Sequence, residues 1–218
     1  MKTIRQAALP LTFAAAAALI ALDAWAGRPL GVDDANVNDV GRGHIEAWIA
    51  KAPGERAYNI APAYAPVEGL ELAALLSRDT KASVTLSGLQ AKWRITPSQE
   101  NGCNAGAALA WLHAAGAPNT ASLNGLVTCN RDGLGSMHLN LGIAKPRSTA
   151  SARNWGIAFE RSFDNGLTPH IEWFGAHGTK PTVQAGLRGN VAPNLQLDGS
   201  IGRRDRATLY TLGTKFSF

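Results

Sequence analysis

The chain has 218 residues, with 21 Lys and Arg against 16 Asp and Glu and a formal net charge of +5. That length suits one domain or two small ones. The basic residues are scattered and form no cluster alternating with aromatics, which argues against a nucleic-acid partner.

At the N-terminus, Lys2 and Arg5 precede an uncharged run over 7–22, then Asp23 and the small-residue site Ala24-Trp25-Ala26. Basic, apolar and A-x-A segments in that order read as a secretory signal peptide over 1–26, cut after Ala26. The run is short for a membrane helix, which needs about 17–25 apolar residues; an uncleaved anchor is the alternative. Residues 27–42 read as a periplasmic N-terminal lead-in, or as a short plug entering a lumen. Their Asp33, Asp34 and Asp39 lack the spacing of a calcium-binding loop. Export makes a disulfide between the two cysteines, Cys103 and Cys129, the default expectation. No Cys/His spacing supports a metal site, and no cofactor is expected.

From residue 43 the chain breaks into about twelve segments separated by Gly, Pro, Asn and Asp clusters. They are 43–51, 57–65, 70–78, 83–96, 103–112, 120–130, 136–145, 153–163, 168–176, 182–192, 195–203 and 208–218. Ten strands is the alternative, if two short segments merge into loops. Within the segments, apolar residues alternate with small or polar ones: Met137, Leu139, Leu141 and Ile143 against His138, Asn140, Gly142 and Ala144. That period places every second side chain on one face of a strand. A soluble sandwich shares the period but puts long charged side chains on its wet face. Here Gly, Ala, Ser, Asn and Gln fill that face, as suits the lumen of a membrane barrel. Compact turn formers (65–69, 96–102, 130–135, 164–168, 192–194) alternate with more charged connections (51–56, 77–82, 145–153, 177–181, 203–207); 114–120 is uncharged and fits less well. The expected architecture is all-β: a closed antiparallel transmembrane β-barrel of about twelve strands over 43–218, with both termini in the periplasm.

Two stretches need separate treatment. AALAWLHAA (107–115) has good helix propensity and reads either as a buried helix or as half of a hairpin. Cys103 and Cys129 lie symmetrically about Gly116, so a hairpin turning there sets them opposite each other. The pairs between them would be Ala105/Val127, Ala107/Gly125, Leu109/Leu123 and Trp111/Ala121, within disulfide reach at the end. The hairpin is favoured. Further back, Val84 and Leu86 occupy one parity while Leu89, Ala91, Trp93 and Ile95 occupy the other. A β-bulge at Ser87-Gly88 would restore the register.

The chain ends in YTLGTKFSF (210–218), with Tyr210, Leu212, Phe216 and Phe218 on one face. An open strand edge cannot persist in hydrocarbon, so this last strand is expected to pair with the first. The pattern resembles the C-terminal signature of bacterial outer-membrane proteins, which implies a cleavable export signal, outer-membrane lipids as surroundings and recognition by the barrel-assembly machinery. The stretch RPLGVDDANVNDVGRGHIEAW (28–48) resembles the N-terminal motif of a putative outer-membrane transporter family named for the meta-pathway of phenol degradation. Arg28, Pro29, Leu30, Asp34, Ala35, Gly43 and Glu46 carry that likeness. It covers about twenty residues and implies an outer-membrane, transport-like role.

On the chosen parity the inward charged residues are Glu46, Glu71, Lys92, Arg94, Glu160, Glu172, Arg188, Asp198, Arg204 and Lys215, joined by His44, His138 and His170. They are expected to line a pore, and acids and bases balance, so the count selects neither ion sign. Two readings stay open: passive or facilitated passage of small solutes through a polar lumen, or a structural barrel sealed by internal salt bridges. No long loop is available to fold inward. A third reading, a lipid-modifying outer-membrane enzyme, would call on His113 and Ser122, but their spacing is generic and no G-x-S-x-G occurs. The chain is read as a non-enzyme.

Overall fold

The computed structural model describes residues 30–218. Residues 1–26, where a signal peptide is expected, and residues 27–29 of the lead-in therefore lie outside the described residues. Among those described, twelve strands follow one another: β1 (Gly43–Ala52), β2 (Glu55–Val67), β3 (Leu70–Asp79), β4 (Val84–Arg94), β5 (Gly102–Ala114), β6 (Thr120–Arg131), β7 (Gly135–Pro146), β8 (Ala152–Glu160), β9 (Leu167–Ala176), β10 (Thr182–Ala192), β11 (Leu195–Arg204) and β12 (Ala207–Ser217). Each pairs with its sequence neighbours, and β12 returns to β1 to close the barrel. The ten-strand alternative falls away.

Closure runs the length of the first strand, from His44↔Ser217 to Lys51↔Tyr210. At its end Gly43 N–H donates to the Phe218 carbonyl at 3.0 Å, and Phe218 N–H donates back at 2.9 Å. The edges that an open sheet would expose are thereby paired. We call the end where β1 starts and β12 finishes the near rim, and the opposite end the far rim.

Strand alternation then sorts the side chains. The outer wall carries Leu141, 72% exposed, and Leu212, 67% exposed, with Leu89, Leu123, Ile171 and Ile201 among many similar neighbours. Outward aromatics gather in two bands. Tyr64, Trp93, Phe159, Phe216 and Phe218 sit toward the near rim; Tyr58, Trp111, Trp155, Trp173 and Tyr210 sit toward the far rim. An apolar band flanked by aromatic girdles is the surface of a barrel set in lipid.

The hairpin reading of 102–131 holds. Cys103 faces Cys129 in register, with the four expected pairs between them, and the two cysteines are joined. They sit on the outer wall near the near rim. Helix propensity over 107–115 yields because Ala108, Ala110, Leu112 and Ala114 are needed on the inner face while Leu109 and Trp111 face outward.

Two expectations need correction. No bulge occurs at Ser87-Gly88, since β4 pairs continuously with both β3 and β5. The parity break has another cause: Leu86 simply points inward, into an apolar cluster with Trp48, Leu75, Leu112 and Ala114. Register shifts occur instead between Tyr64 and Val67 of β2 and between Asn190 and Ala192 of β10. Second, residues 30–38 lie inside the barrel, the other arrangement considered for the lead-in, with Leu30, Val32 and Ala35 fully buried, while residues 39–42 are exposed at the near rim. The chain needs no long loop to fill its lumen, because the segment preceding β1 does so.

Trp48 anchors the apolar sector inside the far half of the barrel. Trp48→Ala should lower unfolding stability by about 3–5 kcal/mol, measured by urea titration in detergent micelles. A loss below about 1 kcal/mol would show that this sector is not packed.

Candidate functional site

The inward parity of the strands sets the site. Glu46, Glu71, Lys92, His138, His170, Glu172 and Asp198 are buried, while Arg94, Glu160, Arg188, Arg204 and Lys215 are partly buried. Their strand positions share the parity of the buried residues, with Arg94 at the near rim. In the interior they meet residues 30–42 and one another.

The inner segment follows the wall from β9 round to β1. At the rim Gly41 N–H donates to the Ala65 carbonyl and Ala65 N–H to the Arg42 carbonyl, each at 2.9 Å; over 30–38 the backbone has no partner strand among the described residues, so its N–H groups need acceptors from lumen side chains. Gly31 and Val32 N–H both donate to Glu172 Oε2, the second at 2.8 Å, while Gln184 Nε2 donates to Glu172 Oε1 at 2.7 Å. Asp33 N–H donates to Asn140 Oδ1, and Asn140 Nδ2 donates back to the Asp33 carbonyl, each at 2.7 Å. That amide clasps the segment much as a neighbouring strand would. Ala35 N–H donates to Thr128 Oγ1 at 2.9 Å, Asn104 Nδ2 to Asn36 Oδ1 at 3.0 Å, and Asn38 N–H to Glu71 Oε2 at 3.0 Å. The Asn38 amide and His44 Nδ1 are 2.9 Å apart.

Shape supports the same docking. Leu30 and Val32 pack on Ala158 and Phe174, and Ala35 packs on Ala108 and Leu126. A Cβ on Gly156 would come within 2.8 Å of Val32, and one on Gly31 within 2.8 Å of the Phe174 ring. The segment and the wall approach too closely there for a side chain on either glycine.

Charge makes the third contact. Lys92 Nζ lies 3.1 Å from Asp33, 3.8 Å from Glu71 and 4.0 Å from Asp34. Burial pushes the Asp33 carboxyl up to about 6, against the pull of the Lys92 ammonium and with the push of Asp34. Elsewhere Arg188 binds Glu160 at 2.7 Å, Lys215 lies 3.5 Å from Glu46, and Arg204 donates to Thr182 Oγ1 at 2.7 Å. His138 is 3.6 Å from Glu160, and His170 is 3.8 Å from Glu172. Arg94 reaches outward to Glu68 at 4.0 Å.

Among the described residues, two cavities lie beside the segment. One of about 170 Å³ opens beside residues 34–38 in the near half. The other, about 110 Å³, lies in the far half against Gly31, Trp48, Phe174 and Arg204. The segment contributes residues to both.

Sequence reasoning missed Asn104, Thr128 and Asn140, which hold the segment, and Gln184, which holds Glu172. Their inward parity was readable, but neutral polar residues looked like ordinary lumen filling. It also missed the inward apolar residues Leu75, Leu86, Leu112, Leu126 and Phe174. The possible enzyme dyad is not assembled. His113 is exposed and pairs with Asn119 Oδ1 at 2.7 Å, whereas Ser122 is buried on the opposite face of the wall. Among the described residues, no three His, Cys, Asp or Glu side chains converge as metal ligands.

Comparisons with known proteins follow this geometry. The KdgM porin, solved in complex with disordered oligogalacturonate, superposes with a TM-score of 0.72 at 14% identity, over 80% of this chain and 99% of that one. The NanC porin gives 0.66 at 6% identity, over 80% and 98%. An outer membrane channel from Pseudomonas putida F1 gives 0.58 at 11% identity, over 85% and 98%. At such identities the likeness establishes the outer-membrane porin-like barrel fold. No curated protein matches in sequence. The family model described as uncharacterised conserved protein UCP029691 matches residues 14–218, and the chain belongs to that family.

Proposed function

We propose that this protein is an outer-membrane channel for small solutes whose resting lumen is blocked by residues 30–42, so that passage requires that segment to shift. The observation carrying this reading is that the barrel wall is complete without the segment. The closing hydrogen bonds belong to β1 and β12, whereas residues 30–38 are held by side-chain contacts one residue at a time. It can therefore leave its docking groove while the wall stays shut to lipid. The inward charged residues, from Glu46 to Lys215, would then line the route.

Other features agree with this setting. The apolar outer wall suits an outer membrane reached through a cleavable signal peptide, and the near rim is then periplasmic. Tyr210, Leu212, Phe216 and Phe218 lie on the outer face of the closing strand, where the barrel-assembly machinery could read them. The likeness of 28–48 to the meta-pathway transporter family supports a transport role. The fold neighbours are described as porins and a channel. The sealed structural barrel is the second reading, favoured by the ion pairs and by the docked segment itself.

Planar-bilayer recordings separate the two. The mature chain should show rare, brief openings, and a variant lacking residues 30–38 should conduct steadily. Silence from both would leave the sealed barrel standing. Lys92→Ala strands Asp33, Asp34 and Glu71 without their shared cation, a loss of about 3–5 kcal/mol for a buried pair. It should raise open time at least tenfold, roughly the effect of 1.4 kcal/mol. The lipid setting has its own check: Leu141→Arg should cost about 2–4 kcal/mol of folding stability in lipid vesicles, and an unchanged value would contradict it.

A further inference from the structure

Charge is distributed unevenly between the two rims. The far-rim strand ends and turns, 51–56, 77–82, 145–153, 177–181 and 203–207, hold eleven Lys and Arg against three Asp and Glu. Their near-rim counterparts, 65–69, 94–102, 130–135 and 161–168, hold three against four. Part of the far-rim surplus is gathered on the outer wall. Lys51, Arg56, Arg78 and Arg203 are exposed and share the strand parity of the outward residues Ile49, Tyr58, Leu76 and Ile201. Lys51 lies directly opposite Arg56, and Arg78 lies opposite Tyr58, two residues along β2. Across the closing strand, Tyr210 faces Lys51 on one side and Ile201, two residues before Arg203, on the other. Neighbouring strands run about 4.8 Å apart, so the side chains of Lys51, Arg56 and Arg78 reach a common point, with Arg203 at its flank.

A second feature is the lack of compensating charge. Like charges set directly opposite in a ladder repel. Among the described residues, no carboxylate lies within ion-pair distance of any of the four. Arg78 is braced on the wall, its Nη1 donating to the Ser83 carbonyl at 3.0 Å and to Thr85 Oγ1 at 2.8 Å. Its remaining guanidinium donors are left for a ligand. Arg203 Nε donates to the Asp205 carbonyl at 3.2 Å, and Lys51 also borders the far cavity. Toward mid-barrel the same stretch of wall is apolar, with Ile49, Ile60 and Leu76 exposed.

These features fix the partner. Cations at the edge of an apolar wall, level with Tyr58 and Tyr210, match a molecule with an anionic head and hydrocarbon chains. A free anion would gain nothing from the wall, and the outward parity turns the patch away from the lumen. We infer that the far-rim outer wall of β1 to β3 binds the phosphate group of an anionic lipid. Lys51, Arg56 and Arg78 hold the phosphate with Arg203 beside them, and the acyl chains lie along Ile49, Ile60 and Leu76. This rests on the lipid setting proposed above and not on conduction. A barrel silent in bilayers leaves it standing, and failure of the setting is read separately by Leu141→Arg.

Native mass spectrometry of the full mature chain, released from an uncharged detergent, tests it with dioleoyl phosphatidic acid against dioleoyl phosphatidylcholine. Phosphatidic acid should bind saturably and about tenfold more tightly than phosphatidylcholine, or better. Arg56→Glu places an acid opposite Lys51 and removes the repulsion. It should weaken phosphatidic acid binding at least about tenfold, with stability to urea in the lipid-free detergent unchanged or higher. Lys51→Gln, a milder change, should weaken binding about threefold or more, while Arg131→Gln at the near rim should leave it unchanged. Excess glycerol phosphate should not displace the lipid. Equal binding of the two lipids, undiminished binding in both Arg56→Glu and Lys51→Gln, an equal loss in Arg131→Gln, or displacement by glycerol phosphate overturns the assignment.

Discussion

The pairing of β12 with β1 is the constraint on which everything else depends. A sheet of twelve strands left open would present two rows of unpaired N–H and C=O groups, and in hydrocarbon no solvent could satisfy them. Ladder bonds along β1, ending in the reciprocal Gly43–Phe218 pair, remove both rows at once. Closure then forces a division of labour. Because side chains alternate across each strand, one parity of every strand faces a confined interior and the other faces out. The sequence requirement on each parity follows, and so does the end of the last strand in an outward aromatic.

The same accounting of backbone groups explains the interior. Residues 30–38 enter the barrel with no partner strand among the described residues, yet none of them is exposed. Glu172, Asn140, Thr128 and Glu71 supply the acceptors, each from a different strand. The wall thus contributes to the segment what a neighbouring strand would have contributed. Where no polar contact is made, the fit is steric: Leu30 and Val32 sit against Ala158 and Phe174, with Gly156 leaving room. The lumen is accordingly uneven, with polar clasps along the path of the segment and an apolar cluster around Trp48 and Leu112.

The wall was legible in the sequence because its rule is local. A period of two, broken by turn formers, marks strands without any knowledge of their partners. Symmetry of Cys103 and Cys129 about Gly116 even gave a register, since a hairpin is a local structure as well. The rule failed where it carried a hidden assumption, that the inner wall is polar throughout. Leu86 violates that assumption because it packs on Leu75 and Leu112 across two other strands. A non-local contact then looked like a slip in register, and a bulge was expected where none exists. Residues 30–42 were harder still. They have no periodicity, and their fate depends on acceptors spread over more than a hundred residues of later sequence. Nothing in DDANVND separates a solvated tether from a docked plug until the positions of Asn140 and Glu172 are known.

The separation between wall and segment also bears on how the molecule could change state. Every hydrogen bond in the closing seam is one rung of a ladder, so losing it means losing neighbours too, and the seam behaves as a unit. Polar contacts to residues 30–38 are made by side chains on seven different strands, and no ladder links them. Opening one does not require opening the wall. The buried Lys92–Asp33 contact is a sensitive hold, because removing the Lys92 ammonium leaves a buried carboxylate without its nearest cation. A structure whose lipid-facing shell is cooperative and whose lumen filling is not has its freedom of movement confined to the one place where movement would open a path.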